Sequence, residues 1–267
     1  MKLRFMVITL ALTSCSIQSL AQDRIFTYTY QSAVLNPGQQ EIEIWNTFHW
    51  GRTDFYRELN HRIEYEVGLA SNLQTAFYLN VKSELAFEST SSPSLDSELE
   101  VSFSNEWKYK LSDPVADGIG SAMYVEVGIS ADEFELEGKL ILDKTIGQTF
   151  HAFNAVAEPA WKTVVGGNTT RTEFALNFEF DYGFAYQLND KWHVGVELRN
   201  LNLYTKETGV EYSALFGGPV ISYSTERFWI NFTILPQLVA LKGATHDGLV
   251  LNKLERLETR LLFSYGL

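Results

Sequence analysis

The chain closes on Leu257-Glu258-Thr259-Arg260-Leu261-Leu262-Phe263-Ser264-Tyr265-Gly266-Leu267. Leu257, Thr259, Leu261, Phe263, Tyr265 and Leu267 take every second position, and Glu258, Arg260, Ser264 and Gly266 fill most of the slots between. Successive strand side chains point to opposite faces, so this reads as a strand with one apolar and one polar face. It runs to the last residue without a polar tail. An amphipathic strand in this position is what closes an outer-membrane β-barrel.

The same alternation recurs along the chain. Leu59, His61, Ile63, Tyr65, Val67 and Leu69 alternate with Asn60, Arg62, Glu64, Glu66 and Gly68; Phe174, Leu176, Phe178, Phe180, Tyr182 and Phe184 alternate with Ala175, Asn177, Glu179, Asp181 and Gly183. Runs of this length exceed the five or six residues usual for a soluble strand. They predict about twelve strands, near 40–51, 58–69, 73–85, 98–111, 119–130, 134–146, 149–161, 172–186, 191–204, 210–223, 227–241 and 253–267. Alternation is poor in 149–161 and 210–223. Connections after even strands (70–72, 147–148, 187–190, 224–227) are mostly shorter than those after odd ones (52–57, 86–97, 162–171, 242–252). Segments 112–118 and 131–133 break that rule. Short periplasmic turns, longer outer loops and both termini on the periplasmic side are the barrel expectation.

The direction of the apolar faces separates a membrane barrel from a soluble one. About eight strands is the size whose interior side chains can fill, so twelve with apolar faces inward would leave a void. With those faces outward, each strand supplies the roughly nine to eleven residues of a tilted crossing. Trp50, Tyr109, Trp161, Trp192, Tyr204 and Phe228 then fall near strand ends, where an aromatic girdle belongs. The expected class is all-β, a transmembrane antiparallel barrel spanning 40–267 in the outer membrane of a Gram-negative cell, in contact with its lipids.

The start of the chain agrees. Lys2 and Arg4 precede an apolar run from Phe5 to Leu12, and Ser19-Leu20-Ala21 offers small residues for cleavage, so 1–21 reads as a secretory signal. Leu12-Thr13-Ser14-Cys15 also fits a loose lipoprotein box, an alternative to cleavage after Ala21. Residues 22–39 are expected as a short periplasmic lead-in. The only cysteine is in the signal, so no disulfide is expected after cleavage. Losing Lys2 and Arg4 takes the net charge from −12 to −14, and such acidity excludes nucleic acid as a partner. No window approaches the roughly eighteen apolar residues of a membrane helix.

Several short stretches resemble a known group. Phe26-Thr27-Tyr28-Thr29-Tyr30, Leu35-Asn36-Pro37-Gly38-Gln39-Gln40-Glu41-Ile42-Glu43 and Tyr65-Glu66-Val67-Gly68-Leu69, with Gly217-Gly218-Pro219 and Phe228-Trp229-Ile230, are similar to the outer-membrane barrels grouped with the meta-pathway of phenol degradation. The resemblance implies a transporter-like barrel of about this size and brings no catalytic residues. The closing strand likewise resembles the signal read by the barrel-assembly machinery.

By parity the charges that face the lumen include Glu64, Glu66, Lys82, Lys108, Glu126, Lys139, Glu179, Asp181, Glu197 and Arg199. An excess of inward carboxylates points to a polar passage that favours cations or polyhydroxyl solutes. A barrel interior that satisfies its own charges, and is sealed, is the competing reading. The expected function is a channel or transporter for a small solute of unspecified identity. The alternatives are a sealed structural or surface-interaction barrel, and then a lipid-modifying enzyme. Against the last, the five histidines (His49, His61, His151, His193 and His246) show no spacing to serine of the kind a nucleophile and its base require. His246-Asp247 is the one pair at a loop position. No two histidines stand close enough in sequence to suggest a metal pair, and no cofactor motif appears.

Overall fold

Alternating side chains leave a strand backbone no local partner, so these segments must pair with one another. In a lipid-exposed sheet the pairing must close, because hydrocarbon satisfies no edge. A computed structural model describes residues 24–87, 94–166, 169–245 and 247–267. The signal segment 1–21 with Cys15, and the position His246, lie outside the described residues. The chain forms β1 (Gln40–Trp50), β2 (Tyr56–Ala70), β3 (Leu73–Phe87), β4 (Leu95–Ser112), β5 (Gly120–Ile129), β6 (Glu133–Ile146), β7 (Thr149–Gly166), β8 (Thr169–Gln187), β9 (Trp192–Thr205), β10 (Gly209–Ser224), β11 (Phe228–Lys242) and β12 (Leu257–Gly266). Each pairs antiparallel with its chain neighbours, and β1 pairs with β12 from Glu41 opposite Gly266 to Trp50 opposite Leu257. The twelve strands make a closed barrel. No helix among the described residues is long and apolar enough to cross a membrane.

The apolar faces point outward. On β12, Leu261, Phe263 and Tyr265 are exposed while Leu262 and Ser264 are fully buried. Phe77, Phe103 and Met123 are more than half exposed on other strands. Only lipid makes such a surface favourable. At the end carrying the short turns, Trp192, Tyr223, Phe228 and Phe263 form a chain of ring contacts at centroid spacings of 4.7, 5.9 and 6.2 Å. At the end carrying the loops, Trp161 contacts Phe134 and Phe174, each at 5.7 Å.

Three expectations are revised. The loop expected at 162–171 is largely strand: β7 and β8 stay paired from Lys162 opposite Glu173 out to Gly166 opposite Thr169. Alternation weakens in β10 because the β10–β11 register shifts near Ser213 and Leu215 and resumes at Val220 opposite Thr233. Pro219 and Pro236 lie between those points and lack the N–H a ladder needs. Finally, β12 begins at Leu257 rather than 253, because residues 249–255 fold into the barrel mouth and bury Leu249, Val250 and Leu251.

The largest revision concerns the segment expected to lie outside as a periplasmic lead-in. Residues 24–35 run inside the barrel at its turn end, with Ile25, Phe26, Tyr28, Tyr30 and Leu35 all buried. Twelve strands enclose more space than their own side chains fill, and this segment carries an aromatic and aliphatic surface that water would not accept. Ile25 and Phe26 pack with Ala152, Ala185 and Val220; Tyr28 packs with Ala214, Phe216, Leu235 and Val250 of the long loop. The two internal elements therefore meet.

Candidate functional site

The plug is held by side chains rather than by a strand ladder. Glu197 on β9 is its main anchor. Its Oε2 accepts from Thr27 N (3.1 Å), Thr27 Oγ1 (2.9 Å) and Thr233 Oγ1 (2.8 Å), and its Oε1 accepts from Tyr28 N (2.9 Å) and Thr29 N (3.0 Å). Asn154 on β7 mimics a peptide: its Oδ1 accepts from Tyr30 N (2.6 Å) and its Nδ2 donates to Tyr30 O (3.0 Å). Asp143 accepts from Ser32 N (3.1 Å), Gln74 from Leu35 N (3.0 Å), and Asn231 donates to Arg24 O (2.8 Å). Strands β3, β6, β7, β9 and β11 thus satisfy the buried backbone that an unpaired segment would otherwise leave costly.

The wall is bare where the plug presses closest. A Cβ on Gly183 would stand 2.8 Å from the Phe26 ring, and one on Gly68 would collide with the carbonyl of Asn36. Both are inward strand positions where a side chain would occupy the plug's place.

Around the plug's base lies a buried carboxylate cluster, Glu41, Glu43, Glu64, Glu66 and Glu106. Arg24 and Lys108 are set among them, and the Arg24 guanidinium lies 4.0 Å over the Tyr30 ring and 4.5 Å over Trp45. Trp45 Nε1 donates to Glu43 (2.8 Å), Ser264 Oγ to Glu41 (2.9 Å), and the Tyr78 hydroxyl to Glu106. Oxygens of Glu41, Glu43 and Glu66, and of Glu64, Glu66 and Glu106, come within 4.8 Å of one another, close enough to hold a metal ion.

Above Tyr28 and Tyr30 a cavity of about 390 Å³ opens toward the loop end. Its floor is aromatic and carries cations. Arg260 stands 3.6 Å and Arg199 4.5 Å over the Tyr28 ring, and Lys139 stands 4.2 Å over Tyr30. Arg62 lies 4.3 Å over Tyr78. Such contacts are worth roughly 0.5–2 kcal/mol each, more where water is excluded. Three of these cations also have carboxylate partners: Arg199 with Glu179 (2.8 Å) and Glu258 (3.0 Å), Lys139 with Glu137 (2.8 Å), and Arg62 with Glu126 (3.5 Å). Arg260 instead donates to Thr47 Oγ1 (2.8 Å) and Thr27 O (3.4 Å), so it braces the plug.

The ten residues expected to line the lumen all point inward, but they divide. Lys82, Glu126, Lys139, Glu179, Asp181 and Arg199 line the cavity. Glu64, Glu66, Lys108 and Glu197 lie at the level of the plug, where they face protein rather than a passage. Trp45, Gln74, Asn154, Asn231 and Thr233 were missed as site residues. Their signal was present: uncharged amides and small residues (Gly183, Ala152, Ala185) on inward positions mark a wall with something packed against it.

The long loop has its own tie. Gln237 accepts from Val250 N (2.6 Å) and donates to Glu255 O (3.1 Å), and His49 Nδ1 lies 2.6 Å from Glu255 Oε1. Burial pushes the Glu255 carboxyl up, but the hydrogen bond from His49 and the charge of that ring outweigh it and hold the carboxyl at about 2. His49, Glu255 and Glu258 form a third group with ligand atoms close enough for a metal.

Among solved structures the chain is similar to the NanC porin (TM-score 0.52, 10% identity, covering 85% of this chain and 100% of that one). It is also similar to the β domain of the Bordetella autotransporter BrkA (TM-score 0.54, 9% identity, 87% and 100%). The translocator domain of the autotransporter NalP from Neisseria meningitidis gives TM-score 0.54 at 8% identity, covering 85% of this chain and 87% of that one. At these identities the likeness is one of fold, the closed antiparallel barrel of outer-membrane proteins. No curated protein matches the chain in sequence. The sequence model of one family covers residues 18–267, and the chain belongs to that family, the family of unknown function DUF6662.

Proposed function

We propose that the protein is a non-enzymatic outer-membrane channel for small solutes, in which a vestibule on the loop side leads to a passage held shut by residues 24–35. The observation that carries this reading is the one-ended cavity, polar and charged on its walls and floored by Tyr28 and Tyr30 of the chain's own N-terminal segment. A plug bound by side chains leaves the barrel ladder intact when it moves, so the opening need not disturb the fold. The porin among the similar structures supports the channel side of the reading. Phe26–Tyr30, which carries part of the resemblance to the barrels grouped with phenol degradation, is the stretch that fills the lumen. The turn end faces the periplasm, and the alternation of β12 supports delivery by the barrel-assembly machinery.

Glu197→Ala tests the gate. It leaves the amides of Thr27, Tyr28 and Thr29 without their acceptor, and each orphaned buried N–H costs about 1–3 kcal/mol. In planar bilayers the parent should be mostly closed with brief openings, and the variant should carry a steady current. A variant that folds, judged by heat-modifiable gel mobility, yet stays as silent as the parent would replace the channel with the sealed barrel that Glu197's five donors favour.

A further inference from the structure

We propose that the upper wall of the vestibule binds a linear polyamine, an extended solute with several ammonium groups separated by methylenes. The inference deepens the channel reading and rests on the vestibule being open to the loop side. Four carboxylates lining the cavity, Glu100 on β4, Glu135 on β6, Glu158 on β7 and Asp181 on β8, have no cation within ion-pair distance among the described residues. Asp181 is only 4% exposed, and its Oδ1 lacks any hydrogen-bond partner. Its cross-strand neighbour is Arg199, whose guanidinium is turned away onto Glu179 and Glu258. Glu158 accepts one hydrogen bond, from Asn177 Nδ2 (3.0 Å). Opposite Glu135 stands Gly128, where a Cβ would lie 3.2 Å from Glu135 Oε2, so the wall leaves that carboxylate room to face the cavity.

The spacing of these groups selects the ligand class. Three of them sit on the consecutive strands β6, β7 and β8, and neighbouring strands are about 4.8 Å apart. None belongs to a group whose ligand atoms converge within 4.8 Å; among the described residues those groups lie at the plug's base and beneath the long loop. No three of the wall carboxylates therefore converge on one metal ion, whereas a chain bearing separated charges can meet them in turn. Val156, inward on β7 between the wall carboxylates, offers apolar surface to its methylenes. The cations on the floor repel ammonium groups, which keeps such a ligand on the upper wall.

Calorimetric titration of the refolded full chain in detergent, at low salt, tests this with spermine against butylamine and magnesium chloride. Spermine should bind at least about tenfold more tightly than either, since its charges meet several fixed carboxylates, and the preference should shrink with added salt. Glu135→Gln with Glu158→Gln and Asp181→Asn should weaken spermine at least about tenfold, and Asp96→Asn at the loop end should leave it unchanged. Should the triple variant fail to fold, Glu158→Gln alone should weaken spermine about threefold. Magnesium or butylamine binding as tightly as spermine, or variants with unchanged affinity, would overturn the proposal. Binding needs no current: a silent barrel that binds spermine refutes only the gate, and a conducting barrel that ignores spermine refutes only the ligand.

Discussion

Below Tyr28 and Tyr30 the barrel is a protein interior, and above them it is a charged, wet surface. Both halves are built by the same alternation of outward apolar and inward polar residues. In the lower half the inward set includes Glu197, Asn154, Gln74, Asn231 and small residues on several strands, all in contact with the plug, beside the buried carboxylate cluster at its base. In the upper half it is a carboxylate-rich wall over four cations. An inward polar side chain thus borders a cavity in one half and packs against the plug in the other. Parity gives its direction, and only the contents of the lumen decide what its removal does.

The sharpest way to break this contrast is at Glu197. In Glu197→Ala, amide exchange at Thr27–Thr29 should accelerate by at least about a hundredfold, the ratio that roughly 3 kcal/mol of lost protection gives. Glu135→Ala in the upper wall should leave those amides unchanged. Equal effects would mean that the two halves do not differ.

Arginine placed at three positions gives the next largest effect. Phe263→Arg puts a charge against lipid, at a cost of about 2–4 kcal/mol. An empty, water-filled lumen would tolerate Ser264→Arg, since Ser264 points inward. It is fully buried against Glu41, however, which offers a charge partner but no space. Ser264→Arg should therefore lower the urea midpoint by an amount nearer to Phe263→Arg, with overpacking costing about 1–3 kcal/mol. Ser102→Arg, inward on the vestibule wall, should be neutral. Neutral behaviour of Ser264→Arg would show the lower half to be as open as the upper.

A smaller effect should follow Gly183→Val. The new side chain meets the Phe26 ring and should destabilise the barrel by about 1–3 kcal/mol. Adding Phe26→Ala should cost less on this background than in the parent, and the double-mutant cycle read from urea midpoints should be far from additive. Strict additivity would place Phe26 elsewhere.

The smallest effect belongs to the long loop. Glu255 is held at about 2 when folded, below the 4.3 or so of a free glutamate. A depressed carboxyl contributes stability that is complete above the unfolded value and is lost as pH falls toward the folded one. Protease cleavage within 243–256 should thus rise as pH drops from about 4.5 to about 2, and Glu255→Gln should remove that dependence. Retention of the pH dependence in Glu255→Gln would assign it to another group.

How much of this was legible depended on whether a residue's surroundings follow from its own strand. The twelve strands, the closing pair and the lipid face of Phe263 and Tyr265 follow from a period of two, which is a local property. The direction of all ten lumen charges followed for the same reason. The contents of the lumen did not, because Phe26 reaches Gly183 and Thr27 reaches Glu197 across separations of 157 and 170 residues. No window short enough to show periodicity contains both partners. The same limit hid the inward fold of residues 249–255, which is tied by Gln237 on the preceding strand and by His49. Alternating Phe26-Thr27-Tyr28-Thr29-Tyr30 was too apolar for a solvated coil, and that surplus was the readable hint.

The seat of the plug also imposes an order of events. Its partners lie on strands from β3 to β11, with Arg260 on β12 touching Thr27 O. The segment itself leads directly into β1, which must pair with β12 to complete the circle. Its binding site is therefore assembled from residues that come together only when the first and last strands have met. Docking of residues 24–35 is then the final act of assembly, and a barrel left ajar lacks the cradle that would close it.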